Sequence, residues 1–401
     1  MKNLPRSKSD LAPNETFSVA NILGISMASL ISLGLARLAF SLLVPTMRAE
    51  LGWSYESIGW MGAFLTAGYL AGAMVTPLVV SRIGSRPTFV VGLALTCCSL
   101  ALTSTTRDYL SVSLLRTISG VGTAFIFVVG STLIAASTSD PFKARLGMCV
   151  FLGAGGFGMA LTAAIVPFIA EIWGWEGGWF TIALLAVIAA FAALPAVNRS
   201  GTPPRAMRPG LGESQIPDVS LWPVYTSYML FGAGYLAFAT FVVAYLRFNL
   251  QFSAHEIAGY WGVAGFAGIF GSFCWLPLIG RLSGGSGIAV LNACSALGAV
   301  LCLYVQSRAA AYLSAFFFGL AFLTVAAAVL NFARRAVPPS DWTRTMSLLT
   351  VSFSLGQCFG PMLAGVAADR GVGIEGGIVG SVLLLVSATL AALFQREPEL
   401  R

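Results

Sequence analysis

Long apolar stretches alternate with short polar breaks along most of the chain. Twelve runs stand out: Phe17–Met47, Ser57–Val80, Pro87–Ser104, Tyr109–Ser137, Leu146–Ala170, Trp179–Val197, Ser220–Leu246, Glu256–Ile279, Ile288–Val305, Tyr312–Phe332, Thr345–Ala368 and Gly373–Phe394. Each is close to the roughly 20 residues that a helix needs to cross a bilayer. Lipid offers the backbone no hydrogen-bond partner, so a spanning segment must be a helix or a strand of a closed barrel. The runs lack the period-two alternation of a barrel strand, which predicts helices. The first run is too long for a cleaved signal peptide, and Met1–Glu15 reads as a short polar tail.

Composition points the same way. Of 401 residues, 57% are hydrophobic and 10% charged, against roughly 25% charged in a soluble domain. Disorder and a small disulfide scaffold are both excluded. All seven cysteines fall in apolar stretches and read as small packing residues. The net charge of +7 forms no basic stripe, so no nucleic-acid partner is expected. It sorts by topology instead. With the N-terminus in the cytoplasm, sixteen lysines and arginines lie on the inner side and five on the outer, while Arg37 and Arg116 fall within helices. That distribution obeys the positive-inside rule and predicts both termini in the cytoplasm.

The longest polar interruption, Asn198–Val219, carries four prolines and three arginines and reads as a cytoplasmic linker. It divides the chain into bundles at 1–197 and 220–401. The bundles look related at an offset near 200 residues. Gly34 and Ala39 recur as Gly234 and Ala239, Glu56-Ser57-Ile58-Gly59-Trp60 as Glu256-Ile257-Ala258-Gly259-Tyr260, and Ser139-Asp140 as Ser340-Asp341. Near-constant offset at equivalent positions favours duplication of a six-helix unit, with a binding site between the repeats.

Several motifs carry a family resemblance. The loop after the second run reads Ser81-Arg82-Ile83-Gly84-Ser85-Arg86; the fourth run carries Arg116-x-x-Ser119-Gly120-x-Gly122; the eleventh carries Gly356-Gln357-x-x-Gly360-Pro361-x-x-x-Gly365. Together they resemble the major facilitator superfamily over essentially the whole chain. The loop departs from the superfamily pattern where Ser81 replaces an aspartate and Pro77 a glycine. A narrower resemblance is to its YbfB/YjiJ-type branch, through Gly34-x-x-Arg37-x-x-Phe40, Pro45, Gly234-Tyr235, Thr240-Phe241 and Gly356-Gln357. The resemblance implies an all-α membrane protein of twelve helices in two pseudo-symmetric bundles. It also implies a cavity lined by the first, fourth, seventh and tenth helices, and a small-solute secondary carrier.

Arg37 carries most weight among single residues. An arginine inside a membrane is costly and normally faces a cavity or a partner. It could anchor a carboxylate, sulfonate or phosphate, snorkel to the interface, or tie to backbone carbonyls. Tyr69, Tyr228, Tyr235 and Gln357 are the further candidates for substrate contact. Tyr260, Trp261, Tyr225 and Asn331 are weaker ones, since such residues also serve as interface anchors. Arg82, Arg86, Arg116, Glu56 and Glu256 are candidates for coupling or gating. Against these stand plainer roles: topology for Arg82 and Arg86, a hydrogen-bond hub for Arg116, and complementation of helix N-termini for the two glutamates. No carboxylate falls at mid-depth, so a coupling proton would travel with an anionic substrate or titrate at the outer glutamates.

The chain therefore reads as a secondary carrier of a small anionic or polar organic solute in the inner membrane of a bacterium, working by alternating access as a monomer. Polyspecific drug efflux is the alternative within the superfamily, and a transport-dead sensor the remote one. No enzyme activity, metal or cofactor is expected. There is no Walker loop, no pair of histidines and no Gly-x-Ser-x-Gly elbow.

Overall fold

The computed structural model describes residues 18–138, 140–200, 220–275, 282–305, 307–337 and 342–397. Among the described residues helices dominate, and ten stretches are long and apolar enough to cross a membrane, one of them the broken stretch Phe142–Arg199. In chain order the helices are α1 (Val19–Leu51), α2 (Tyr55–Ile83), α3 (Ser85–Thr103), α4 (Tyr109–Ala135), α5 and α6 (141–172 and 175–199), α7 (Trp222–Phe248), α8 (Ala254–Cys274), α9 (Ser286–Tyr304), α10 (Arg308–Ala336), α11 (Trp342–Ala367) and α12 (Gly373–Leu393). This is consistent with the twelve crossings expected. Of the stretch read as a linker, residues 201–219 lie outside the described residues, as do 1–17, 276–279, Ser139 and Ser340-Asp341.

Sequence marks five of the starts. Ser54, Asp108, Asp140 and Ser307 each accept a backbone N–H of the first turn, and Ser253 forms a capping box with Glu256. Two boundaries differ from expectation. The eight-residue gap expected between the fifth and sixth runs is a single break at Trp173–Gly174, with Gly174 at φ 66°; only glycine adopts that geometry readily. Helix α6 also runs through Arg199, two residues into the stretch read as linker.

The two halves pack alike. In the first, α2 and α3 pack on α4, and α3 also packs on α6; in the second, α8 and α9 pack on α10, and α9 on α12. Helices α1 and α7 occupy equivalent interior places and are the most buried of all. Outer helices turn leucine and phenylalanine to lipid, as in the stripe Phe180, Leu184, Ile188 and Phe191 on α6. Glycines permit the close crossings. A Cβ at Gly68 or Gly120 would strike the α2–α4 partner backbone, and one at Gly356 or Gly360 would strike α7.

Contacts between the halves lie from mid-depth to the far end, where α1 finishes and α2 begins. There α2 packs on α11, α5 on α8, and Phe40–Leu51 of α1 on α7. Gly156 and Gly265 bring the α5 and α8 backbones together at mid-depth. The linker-side part of α1, Val19–Ser29, instead packs on its own half, with Gly24 against Ala196 and Ala28 against Gly130. The structure is thus closed at the far end, and α1 leaves α7 towards the linker end.

Candidate functional site at the interface of the halves

The site begins with a fault in α1. Residues Leu30–Leu38 form a π-helix between two α-helical stretches, a rare geometry that often marks functional positions. The Ala39 N–H reaches back to the Gly34 carbonyl at 3.1 Å. Gly34 also lies directly on the Gly158 backbone of α5, so a side chain at 34 would push the fault out of place. Within the fault, the Ala36 carbonyl receives Arg116 Nη1 from α4 at 2.8 Å. The next residue, Arg37, turns to the other half.

Arg37 Nη1 donates to the Tyr235 hydroxyl of α7 at 3.5 Å. Gln357 Nε2 of α11 donates to the same oxygen at 2.7 Å. Tyr69 of α2 lies beneath the Arg37 guanidinium, 5.1 Å from it to the ring centroid. Tyr228, two turns before Tyr235, stacks on Phe353 at 4.4 Å. All five sequence candidates for substrate contact therefore meet at one place, built by α1 and α2 of one half and α7 and α11 of the other. Arg37 is 8% exposed and Gln357 1%. Among the described residues neither Arg37 nor Arg116 has a carboxylate partner, since the ion pairs involve Arg107, Arg247, Arg308 and Arg335. Gln357 Oε1 is buried without a hydrogen-bond partner. Beside Arg37, at the α1–α7 crossing, a cavity of about 10 Å³ lined by Ser41 and Thr240 among others has room for about one water.

The gating candidates scatter. Arg116 is 1% exposed and lies against the rings of Phe40 and Trp179 at 4.5 and 5.5 Å, both in its own half, with its Nε buried without a hydrogen-bond partner. Arg86 donates to the Ser200 carbonyl at 2.7 Å, tying α3 to the end of α6. Arg82 is exposed at the linker end. Glu256 is spent within its own half, on the Ser253 cap and an ion pair with Arg308. Glu56 is exposed, and its backbone N–H, not its carboxylate, makes the inter-half bond. The weaker candidates Tyr260 and Trp261 are buried, and the Tyr260 hydroxyl meets Ser314 of the same half.

Sequence reasoning missed four residues. Phe231, Phe322 and Phe353 surround Tyr235. The spacing Tyr228-x-x-Phe231-x-x-x-Tyr235 puts three rings on one helical face, and that signal was readable. The fourth is Asp369, just past α11, whose carboxylate accepts the Tyr55 and Glu56 N–H groups at 3.2 and 2.7 Å. It caps α2 from the opposite half across 313 residues.

Comparison with known proteins agrees with this architecture. The nucleoside transporter NupG, in a crystal structure of a point mutant, superposes with a TM-score of 0.71 over 93% of this chain and 98% of that one, at 13% identity. Multidrug transporter MdfA of Shigella boydii is 28% identical over 170 residues, 39% of each chain. Monocarboxylate transporter 2 of Mesocricetus auratus is 28% identical over 133 residues, 32% of this chain and 26% of that one. The chain thus matches well under half the length of these curated relatives. Residues 29–392 match the family described as "Uncharacterised MFS-type transporter YbfB", and the chain belongs to that family.

Proposed function

We propose that this chain moves a small organic anion, or a strongly polar organic solute, across the cytoplasmic membrane by alternating access. The observation that carries the reading is Arg37. It is a buried cation with no carboxylate partner among the described residues, and it reaches across the interface to a group of the other half. A cation desolvated at that depth is expensive unless an anion arrives to share the site. Because its contacts come from both halves, a solute held there is well placed to couple binding to their rocking. The positive-inside distribution favours both termini in the cytoplasm, which makes the present arrangement one closed to the outside. Any coupling proton would move with the anion.

A screen of purified protein for thermal stabilisation by small organic acids and common drugs, repeated with Arg37→Ala, tests the reading. Organic acids should raise the melting temperature of the unmodified protein, and Arg37→Ala should weaken their binding about 100-fold, the scale of a lost buried charge contact. Unchanged affinity in Arg37→Ala would overturn the assignment. The second reading, efflux of apolar drugs, has support from the MdfA similarity and the aromatic lining. Stabilisation by hydrophobic cations, insensitive to Arg37, would favour it.

A further inference from the structure

The rings around Tyr235 lie in nearly parallel planes. Tyr235 and Phe353 are 3° apart with centroids 5.9 Å apart; Phe231 and Tyr235 differ by 16° at 5.3 Å; Tyr235 and Phe322 by 24° at 6.0 Å; Tyr228 and Phe353 by 10° at 4.4 Å. Edge-to-face packing is equally available to aromatic clusters, and this chain uses it elsewhere, as in Trp53–Tyr109 at 87° and Tyr260–Trp261 at 89°. The shared orientation around Tyr235 draws on three helices, α7, α10 and α11. It forms a rack of flat faces in which the Tyr235 ring is one layer.

The hydroxyl at the edge of that layer is the second observation. Its oxygen takes N–H donors from Arg37 of one half and Gln357 of the other. Two converging donors, one of them a guanidinium, are the reception a carboxylate oxygen would receive. The Arg37 contact, at 3.5 Å, is long for a charge-assisted bond, so a phenol oxygen satisfies that donor poorly.

We infer that the solute is a planar aromatic or heteroaromatic carboxylic acid, and that the Tyr235 hydroxyl occupies the position its carboxylate would take between Arg37 and Gln357. The inference rests on the reading of Arg37 as an anion anchor and goes further by fixing the scaffold that bears the charge. On binding, the ring of the acid enters the rack against Phe353 and Phe231. Its carboxylate takes Arg37 and Gln357 from the Tyr235 hydroxyl, which turns aside. Arg37 comes from one half, while the rack and Gln357 come from the other. An aromatic acid therefore joins the halves through its charge and its ring at once.

The test is binding of four probes to the purified full-length protein by calorimetry: benzoate, 2-naphthoate, cyclohexanecarboxylate and benzamide. Benzoate and cyclohexanecarboxylate share charge and approximate size, so their ratio isolates the flat ring. Benzoate should bind at least about fivefold tighter, and 2-naphthoate tighter still, from the added ring contact. Benzamide, which lacks the charge, should bind far more weakly than benzoate. Phe353→Leu should abolish the preference for the aromatic acid. Tyr235→Phe keeps the layer but frees both donors, so benzoate should bind about three- to tenfold tighter. Size-exclusion profiles and melting curves establish that both variants are folded, and Tyr235→Phe, missing one oxygen, tests the hydroxyl if Phe353→Leu fails that check. Equal binding of benzoate and cyclohexanecarboxylate, both lost in Arg37→Ala, would overturn this inference and leave the anion reading standing. Acids that bind equally to Arg37→Ala would overturn the anion reading itself. Weaker benzoate binding to Tyr235→Phe would overturn the place-holder role of the hydroxyl.

Discussion

The first half buries two arginines close together, and the chain treats them oppositely. Arg116 is enclosed: one Nη donates to the Ala36 carbonyl, and the stacked rings of Phe40 and Trp179 lie against the cation. All three partners belong to its own half. Arg37, one residue beyond that carbonyl, has one aromatic face below it and a long bond to the opposite half. The π-helical fault serves both. It offers the Ala36 carbonyl to Arg116 and swings Arg37 to the interface. Similar burial therefore does not mean similar roles: Arg116 is tied within its own half, although its Nε finds no hydrogen-bond partner, whereas Arg37 reaches across the interface.

Stability should separate them first. Arg116→Ala removes a large packed side chain, which costs about 3 kcal/mol, and orphans a carbonyl, about 1 kcal/mol or more. Relief of the buried charge returns about 3 kcal/mol on insertion scales. The net expectation is about 2 kcal/mol of destabilisation once the lost cation–π contacts are added. Arg37→Ala gives up only a long bond and one ring face, while the relief is similar, so its stability should stay within about 1 kcal/mol of the unmodified protein or rise. Unfolding in mixed detergent micelles, followed by tryptophan fluorescence, measures both. Equal loss in the two variants would erase the distinction. Arg116→Lys should not recover the loss, because an ammonium lacks the flat face that the guanidinium lays against Phe40 and Trp179.

How much of this could be read from the chain alone follows from the same contrast. An all-helical membrane fold was legible because lipid penalises open backbone, and Arg37 stood out because lipid penalises buried charge; both penalties show in one dimension. Arg37, Tyr235 and Gln357 stood out through the branch motifs, whereas Tyr69 and Tyr228 were candidates only as amphipathic residues in apolar runs. The fault at Leu30–Leu38 was not, since a π-turn depends on where Gly34 meets Gly158 of another helix. Phe353 was passed over because phenylalanine is ordinary membrane filler, and its meaning comes from ring orientation. Asp369 looked like a boundary charge, and its partners lie more than 300 residues away in sequence.

Glycines extend the comparison from residues to interfaces. Gly120 rests on the α2 backbone within the first half, whereas Gly265 rests on Gly156 across the halves. A valine at position 120 should cost the fold about 2 kcal/mol through overpacking. A valine at 265 can be relieved by parting the halves, so Gly265→Val should melt near the unmodified temperature and shift the population about tenfold towards the form open at the far end. Distances between spin labels on the far ends of α2 and α11 measure that shift. If Gly265→Val is instead as unstable as Gly120→Val, the α5–α8 contact is part of the fold and not a surface that opens.

The smallest expected effect concerns Asp369. Its carboxylate stands at the start of α2 and accepts two backbone N–H groups there, where a negative charge is favoured by the helix dipole. It is the same kind of bond that Asp108 makes to the Ser111 N–H at the start of α4, but it spans the halves. An inter-half cap exists only while the far end is closed, so its free energy belongs to that state alone. Asp369→Asn keeps the shape and one acceptor oxygen but removes the charge, and should weaken the closed state by about 0.5–1 kcal/mol. The closed-to-open ratio would then fall about two- to fivefold, with the melting temperature unchanged. Asp108→Asn, a cap within one half, should leave the ratio alone. The same spin-label distances decide the matter: an unaltered ratio in Asp369→Asn would reduce this carboxylate to an ordinary helix end, and the closure would then rest on the glycine crossing and the α1–α7 packing.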